Sequence, residues 1–481
     1  MYKKITTGLK ERVEKIVGQG NVIFDPEMML NYSHDEFSLS EIARMPELVV
    51  KPKKTEEIQE IMRLANEEMI PVTPRGGATG LCGGCVPFCG GMVLSLENMN
   101  QIIEIDLNNQ MAVVEAGVLL SDFYSAVEEA GLFFHPHPGE ESAMIGGLIA
   151  TNAGGSRAVK YGVIRNHVRG LKVVLPMGSV IHPGGKLMKS STGYNLLNLF
   201  IGSEGTLGII TQATIQLMPP SQVTRSLIIP YDELESAIET VPLLMRGKIL
   251  PMAVEFIERE VIQIAEDFLR KKWPCSQGKT YLLIILDASS KEEIDSLSER
   301  VAGICLENGA LDVFVADSTE KQRQVLDIRS KIYEALKANV VEILDIAVPR
   351  AEIAAHVKKV YEVSLKYGIW LPTYGHAADG NVHTHIMKVR IEKGNIIPLP
   401  EKEWRERTDK VREELYQDCM NRGGVISGEH GIGIVKKPYL SYALGEDEIR
   451  LMKGIKQLFD PKNILNPGKI FDLKNSIIPE N

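Results

Sequence analysis

PRGGATGLCGG, residues 74–84, is the stretch whose reading decides the fold. It follows a short apolar run (Ile70, Val72) and precedes a second strand candidate, residues 93–96. Glycine has no Cβ to obstruct a ligand and reaches positive φ cheaply. A loop this poor in side chains therefore lets backbone N–H groups converge on a charged group, and such a nest suits phosphate or pyrophosphate. No Gly-Lys-Ser/Thr closes the loop and it lacks the G-x-G-x-x-G spacing, so it is neither a P-loop nor the dinucleotide fingerprint. Alone it reads equally well as a tight bend. Its weight comes from two later stretches.

The second is IGGLIATNAGGSRAVKYG, residues 145–162, preceded by HPHPGE at 135–140. Gly146, Gly147, Ala150, Thr151, Ala153, Gly154 and Gly155 make it too glycine-rich for a stable helix without a partner. A flat ligand lying against bare backbone explains it better than close packing of a turn. The third, GSEGTLGIIT at 202–211, runs into a strand to Leu217, and Pro219-Pro220 stops it. That double proline marks a first domain boundary.

The 481 residues are 44% hydrophobic and 24% charged, as in an ordinary soluble globular protein. A net charge of −9 argues against nucleic acid and against an anionic membrane surface. No apolar run is long enough for a transmembrane segment. The N-terminal MYKKITTGLKERVEKIV has no apolar core of a signal peptide. Six cysteines in a chain this long fit reduced thiols in a cytoplasmic protein rather than a disulfide framework.

Residues 1–45 read as a helical lead-in, with Leu9, Val13, Ile16 and Val17 at helical spacing. A strand is expected at 47–50, then a helix capped by Thr55 and running to Glu67. Strands follow at 102–105 and 111–115, a helix at 120–130 ended by Gly131, and strands at 171–176 and 179–182. Beyond about 223 strands (226–230, 254–257, 281–287, 312–316, 342–349) alternate with helices. The helices are expected from Asp232 to Met245 and at 291–308, 320–338 and 351–367. This pattern suggests an α+β domain with antiparallel pairing. Strands at 369–374 and 382–389 flank a turn at 377–381, and a polar-faced helix covers 401–422.

HAADGNVHTH, residues 376–385, holds three of the ten histidines. Asp379-Gly380 is a hairpin signal. A hairpin sets His376 on one strand facing His383 on the other, with His385 two residues on and on the same face. Facing imidazoles at a tight turn point to a divalent metal more than to core filling. In GGVISGEHGIG, residues 423–433, Glu429 can complete a His-His-carboxylate set that leaves positions open for substrate. A metal so held could bind the hydroxyl and carboxylate of a 2-hydroxy acid together. As a Lewis acid it would make the hydroxyl proton easier to remove, as zinc takes bound water from about 15.7 to about 7. His430 is then the candidate general base; its plain alternative is a cap or core histidine.

The order PRGGATGLCGG, IGGLIATNAGG, GSEGTLGIIT, HAADGNVH, SGEHGIG and FDPKNILNPGKIF (459–471) resembles the vanillyl-alcohol-oxidase/PCMH flavoprotein superfamily. Within it the chain is most similar to the branch of D-lactate dehydrogenase, glycolate oxidase catalytic subunit and D-2-hydroxyglutarate dehydrogenase. The likeness runs from about Tyr32 to Phe471. It implies an α+β chain: a lead-in (1–44), a PCMH-type FAD-binding domain (45–222), a cap domain with a ferredoxin-like antiparallel sheet (223–425), and a C-terminal segment returning to the FAD domain (426–481). By resemblance Arg75, Gly76, Gly77, Ala78, Thr79, Gly80 and Leu81 wrap the FAD pyrophosphate. Pro138, Gly139, Ser142, Gly146, Gly147, Thr151, Asn152, Gly154 and Gly155 line the flavin. Gly205 and Ile210 contact it from the third stretch, and Asn466 approaches its ring. Covalent members carry histidine where Ala78 stands, so FAD is expected to be non-covalent.

The same resemblance puts the metal (iron, zinc or manganese) on His376, His383 and Glu429, and the base at His430. It puts a substrate-carboxylate fork at Arg329 in DIRSKIYEAL, with Tyr333 and His385 also at the substrate. The hydroxyglutarate enzymes have a lysine just before the Asp-x-x-x-Pro segment, where Ile343 and Leu344 precede Asp345 here. They also have asparagine where His385 stands. Both departures favour lactate or glycolate. Cys82, Cys85 and Cys89 form C-x2-C-x3-C without a fourth ligand nearby and read as small hydrophobes rather than an iron–sulfur site.

The expected activity is oxidation of a short D-2-hydroxy acid, D-lactate first, to the 2-oxo acid by metal-assisted hydride transfer to flavin N5. Electrons would pass to a redox partner protein, electron-transfer flavoprotein or an iron–sulfur subunit, or to quinone. The alternatives are a glycolate oxidase subunit, a D-2-hydroxyglutarate dehydrogenase, a non-catalytic FAD relay, and a metallohydrolase without flavin.

Overall fold

The computed structural model describes residues 2–37, 39–392 and 395–473. It divides into two compact units: Met1–Ala153 with Val163–Pro220 and Glu429–Asn481, and Gly154–Gly162 with Ser221–Gly428.

In the first unit a four-stranded sheet runs in the order Val22–Ile23, Leu48–Val50, Met92–Ser95, Val72–Arg75. The last two strands are parallel neighbours. Parallel neighbours need a crossover rather than a hairpin, and the glycine-rich loop is that crossover. Val22–Ile23 pairs with Leu48–Val50, so the lead-in expected to be helical contains a strand after its helix Thr7–Val17. A second, antiparallel sheet of five strands runs Ile102–Asp106, Met111–Glu115, Ile209–Gln216, Val168–Val174, Val180–Ile181. The helix Thr55–Glu68 buries Ile58, Ile61, Met62, Leu64 and Ala65 in the core of this unit. Thr55 is not its cap; Lys54 takes that position, and the buried Thr55 hydroxyl donates to Thr211 Oγ1 at 3.2 Å.

Residues Ile145–Thr151 form a helix after all. The partner that sequence reasoning lacked is the core: Ile145, Leu148 and Ile149 are buried in it, and Gly146 lies so close to Ala116 that a Cβ would come within 2.7 Å of the alanine's own. Asn152, at φ 52°, ends the helix in the left-handed region that asparagine tolerates. The chain's last segment adds to the same unit. Val72 N donates to Ile464 O and Asn466 N to Val72 O, each at 2.7 Å, beside the strand that feeds the glycine-rich loop.

The second unit is built on a seven-stranded antiparallel sheet in the order Phe314–Ala316, Val223–Tyr231, Thr280–Ala288, Ala253–Glu258, Thr373–His376, Asn381–Met387, Val340–Ala347. The helix expected from Asp232 starts at Leu234 with Glu233 as its N-cap. The helix expected at 320–338 is two, Thr319–Ser330 and Ile332–Leu336, joined at Lys331. A helix not anticipated, Arg259–Leu269, buries Val261, Ile262 and Ala265. Segment Gly154–Gly162 is fastened to this sheet by Asp287, which takes Lys160 Nζ at 2.5 Å and the Tyr161 hydroxyl at 2.6 Å.

Gly146→Val is expected to overpack the Ala116 contact and to destabilise the protein by about 1–3 kcal/mol. Gly303 lies exposed in the helix Lys291–Glu307, where a Cβ would meet nothing within 4 Å. Gly303→Ala should therefore gain roughly 0.5–1 kcal/mol. Thermal melts of the two variants should move in opposite directions.

Candidate functional site

The first unit presents a cradle of bare backbone. Gly76 and Gly77 lie against residues 142–147: a Cβ on Gly77 would be 2.9 Å from Ser142 O, and one on Gly76 3.5 Å from Met144 Cβ. Ala78 follows at φ 59°, a left-handed position unusual for a residue with a Cβ. The Arg75 guanidinium is tied down by the backbone oxygens of His34 (2.7 Å) and Asn31 (2.6 Å). A Cβ at Gly139 or Gly147 would meet no protein atom within 4 Å. Glu204 and Gly205 are both left-handed, at φ 52° and 68°. The Glu204 carboxylate accepts the amides of Ile432 (2.8 Å) and Gly433 (2.7 Å), and burial holds its pKa up against them.

Asn466 joins the first and third glycine-rich stretches. Its Nδ2 donates to Gly84 O at 3.0 Å and to Glu204 O at 2.8 Å. Its Oδ1 is buried and meets no donor among the described residues. Two carbonyls fix which end is nitrogen, so the orphan is an acceptor, and leaving one unmet costs about 1–3 kcal/mol. The N–H of a flavin ring is a donor of the kind it needs. Bare glycine backbone and a buried unmet acceptor together fit FAD.

Other residues expected at the cofactor have structural partners here. Asn152 Oδ1 accepts Arg165 N at 3.0 Å, the Thr151 hydroxyl donates to Gly147 O at 3.1 Å within its own helix, and Ile210 is buried in the core. Gly154 and Gly155 fall in the second unit. The three loop cysteines turn to different partners: Cys82 Sγ to Gly431 O (3.2 Å), Cys85 Sγ to Arg75 Nη1 (3.4 Å) and Cys89 Sγ to Pro467 O (3.9 Å). Burial pushes the Cys85 thiol up to about 11, which disfavours a thiolate ligand.

The second unit carries the histidines. His376 ends one strand and His383 lies on the next, but they are not directly opposite. His383 pairs with Tyr374, and His376 with Asn381. The turn between the strands holds four residues, with Gly380 at φ 97°. The imidazoles thus meet on the diagonal, their Nε2 atoms 3.4 Å apart and both side chains nearly buried. Behind them stand carboxylates: Glu255 Oε1 is 2.5 Å from His376 Nδ1, and Asp345 Oδ1 is 3.8 Å from His383 Nδ1. At His376 the carboxylate behind Nδ1 turns the Nε2 lone pair toward a metal; at His383 the separation is that of an ion pair rather than a hydrogen bond. Two nitrogens each 2.0–2.1 Å from a tetrahedral zinc are about 3.3 Å apart, close to the separation seen, whereas 3.4 Å is long for a direct hydrogen bond. The donor set fits a divalent ion.

Sequence reasoning missed Glu255. It is 2% exposed and divides its oxygens, Oε1 to His376 and Oε2 to Arg329 Nε at 2.8 Å and to Nη2. Burial would raise its pKa, but attraction to His376 and Arg329 outweighs that and holds it down to about 2. Arg329 also stacks 4.7 Å from the Tyr374 ring centroid. His385 lies 5.2 Å from the same ring and 6.1 Å from that of Tyr333, so Tyr374 links Arg329 to His385, and His385 in turn meets Tyr333. Asp345, likewise missed as a partner, accepts Asn381 Nδ2 (2.8 Å) and the Ser427 hydroxyl (3.0 Å), and its backbone oxygen takes Gly428 N at 2.9 Å. Glu429 and His430 follow Gly428 directly in the chain.

Residues 220–470 match the family described as FAD linked oxidases, C-terminal domain, and residues 46–184 the FAD binding domain. The chain belongs to the FAD-linked oxidase family. Known members similar to it are the D-lactate dehydrogenase of Anaerostipes hadrus, 40% identical over 98% of each chain, and that of Archaeoglobus fulgidus, 45% identical over 88% of this chain and 91% of the other. The glycolate oxidase subunit GlcD of Bacillus subtilis is 38% identical over 99% of this chain and all of its own (100%). The PCMH-type fold is shared with p-cresol methylhydroxylase, with a TM-score of 0.78 at 19% identity over 99% of this chain and 100% of that one. No described helix is long and apolar enough to cross a membrane.

Asn466→Ala removes both carbonyl contacts and the buried acceptor. It is expected to weaken FAD binding about ten- to hundredfold, by about 1–3 kcal/mol. Titration of apoprotein with FAD, followed by quenching of flavin fluorescence, measures this. Unchanged affinity would exclude Asn466 from the cofactor site.

Proposed function

We propose that the chain is an FAD-dependent dehydrogenase that oxidises a short D-2-hydroxy acid, D-lactate first, to the 2-oxo acid. The observation that carries this is the Glu255-centred set of the second unit. One buried carboxylate holds an imidazole whose Nε2 faces that of His383, and also an arginine able to receive a substrate carboxylate. Relatives named D-lactate dehydrogenase over nearly the whole chain supply the substrate class. When bound, FAD supplies the two-electron acceptor and a divalent ion supplies Lewis acidity.

The chain's own residues do the rest. His376, His383 and Glu429 are the proposed metal ligands, with the Asp345 carboxylate behind His383. Arg329 receives the substrate carboxylate as a guanidinium fork. The His430 imidazole takes the hydroxyl proton as hydride leaves C2, so D-lactate gives up two electrons and two protons and becomes pyruvate. Tyr333, Tyr374 and His385 bound the substrate side chain. Ala78 offers no nucleophile for a flavin bond, so FAD is held non-covalently. Electrons then pass to a partner protein, for which electron-transfer flavoprotein or an iron–sulfur subunit is proposed, in a cytoplasmic setting. The likeness to the GlcD subunit keeps glycolate as a second substrate reading.

Anaerobic D-lactate should bleach the oxidised flavin of the purified protein, and L-lactate should not. Flavin reduction faster with glycolate than with D-lactate would favour the second reading; no flavin reduction by either acid would contradict both. His430→Asn should slow reduction about 10²- to 10⁴-fold with FAD content unchanged.

A further inference from the structure

Glu255 stands alone among apolar neighbours. In the strand Ala253–Glu258, residues Ala253, Val254, Phe256 and Ile257 are fully buried, and Glu255 is 2% exposed with them. A charge at such a place is costly unless it is fully paired. It is paired on both oxygens, and by groups from two different elements. Oε1 meets His376 Nδ1, across the ladder in which Glu255 and His376 are direct partners. Oε2 meets Nε and Nη2 of Arg329, from the helix Thr319–Ser330.

We propose that Glu255 is a positioning residue that sets the imidazole of His376 and the guanidinium of Arg329 with one carboxylate. It thereby couples the metal-binding edge of the site to its carboxylate-binding edge. This rests on the metal and substrate reading above and adds to it a residue with no direct role in the chemistry. The register fixes the carboxylate relative to His376, and accepting Nδ1–H leaves the Nε2 lone pair directed away from Glu255, toward His383. Holding Arg329 by its Nε/Nη2 edge fixes the plane of the guanidinium. Only a group that accepts at both ends can do both. A glutamine has one acceptor and one donor end. If its oxygen serves Arg329, its NH₂ faces His376 Nδ1 and moves the ring proton to Nε2, where it blocks the metal edge. If its oxygen serves His376, its NH₂ opposes the arginine's own donors.

The test uses the flavin-loaded full-length protein and two variants, Glu255→Gln and Glu255→Asp, the second retaining charge but too short to reach both partners. Binding of Zn²⁺ and Mn²⁺ is measured by competition with a chelating dye, with the flavin spectrum reporting the fold. KM and kcat for D-lactate are then measured at saturating metal. The expected result for E255Q is metal affinity about ten- to hundredfold weaker, and a KM at saturating metal raised at least about tenfold, with kcat changing less. E255D should weaken metal binding in the same direction, and it is read in place of E255Q if that variant loses its flavin. Wild-type metal affinity in either folded variant overturns the proposal. Weaker metal binding with an unchanged KM at saturating metal overturns the coupling to Arg329. A wild-type protein that binds neither ion overturns the metal reading itself, and the proposal with it.

Discussion

Two imidazole nitrogens held 3.4 Å apart, with a carboxylate behind His376 and another near His383, are the constraint around which the second unit is arranged. Facing lone pairs repel unless a proton or a cation lies between them. Bringing them so close takes a tightly made hairpin. A Cβ at Gly375 would stand 2.2 Å from Asn381 O and one at Gly380 2.1 Å from Val348 O, so both positions accept glycine alone without a shift of backbone. Strand order does the remainder. The strand carrying Glu255 lies beside that of His376, and the strand carrying Asp345 beside that of His383. The strand carrying Glu255 is interior to the sheet, where side chains are firmly placed, and it carries a charge among apolar groups; the strand carrying Asp345 is the last of the sheet.

The first unit answers a different physical demand. A large anionic cofactor needs backbone rather than side chains, and the glycine-rich crossover, the helix Ile145–Thr151 and the left-handed pair Glu204-Gly205 supply it. Asn466 ties the first and last of these together from the far end of the chain, which explains why the C-terminal segment belongs to this unit. The glycine-rich cradle and the Glu255 set thus belong to units with different chemistry, one of bare amides and one of buried charge.

Much of this was legible in the sequence because it is written in local patterns. The strands at 111–115 and 281–287, the histidine hairpin and the three glycine-rich stretches announce themselves by period or composition. What was not legible depends on contacts between distant segments. Glu255 reads as one polar residue in AVEFIE; only the strand order brings it to His376 and Arg329. The helix at 145–151 has too much glycine to stand without a partner, and the partner is core packing that no local rule contains. The break at Lys331 and the diagonal offset of His376 and His383 are likewise matters of register, which a sequence pattern leaves open by a residue or two. The helix Arg259–Leu269 is a different case: its buried Val261, Ile262 and Ala265 have helical spacing, and the signal was there to be read.

The central claim is that the histidine pair holds a divalent ion on which oxidation of the hydroxy acid depends. Elemental analysis of the purified protein beside His383→Ala tests it most directly. About one divalent ion per chain is expected in the wild type and almost none in the variant, with FAD retained by both. A metal-free wild type that still transfers electrons from D-lactate to its flavin at full rate would contradict it.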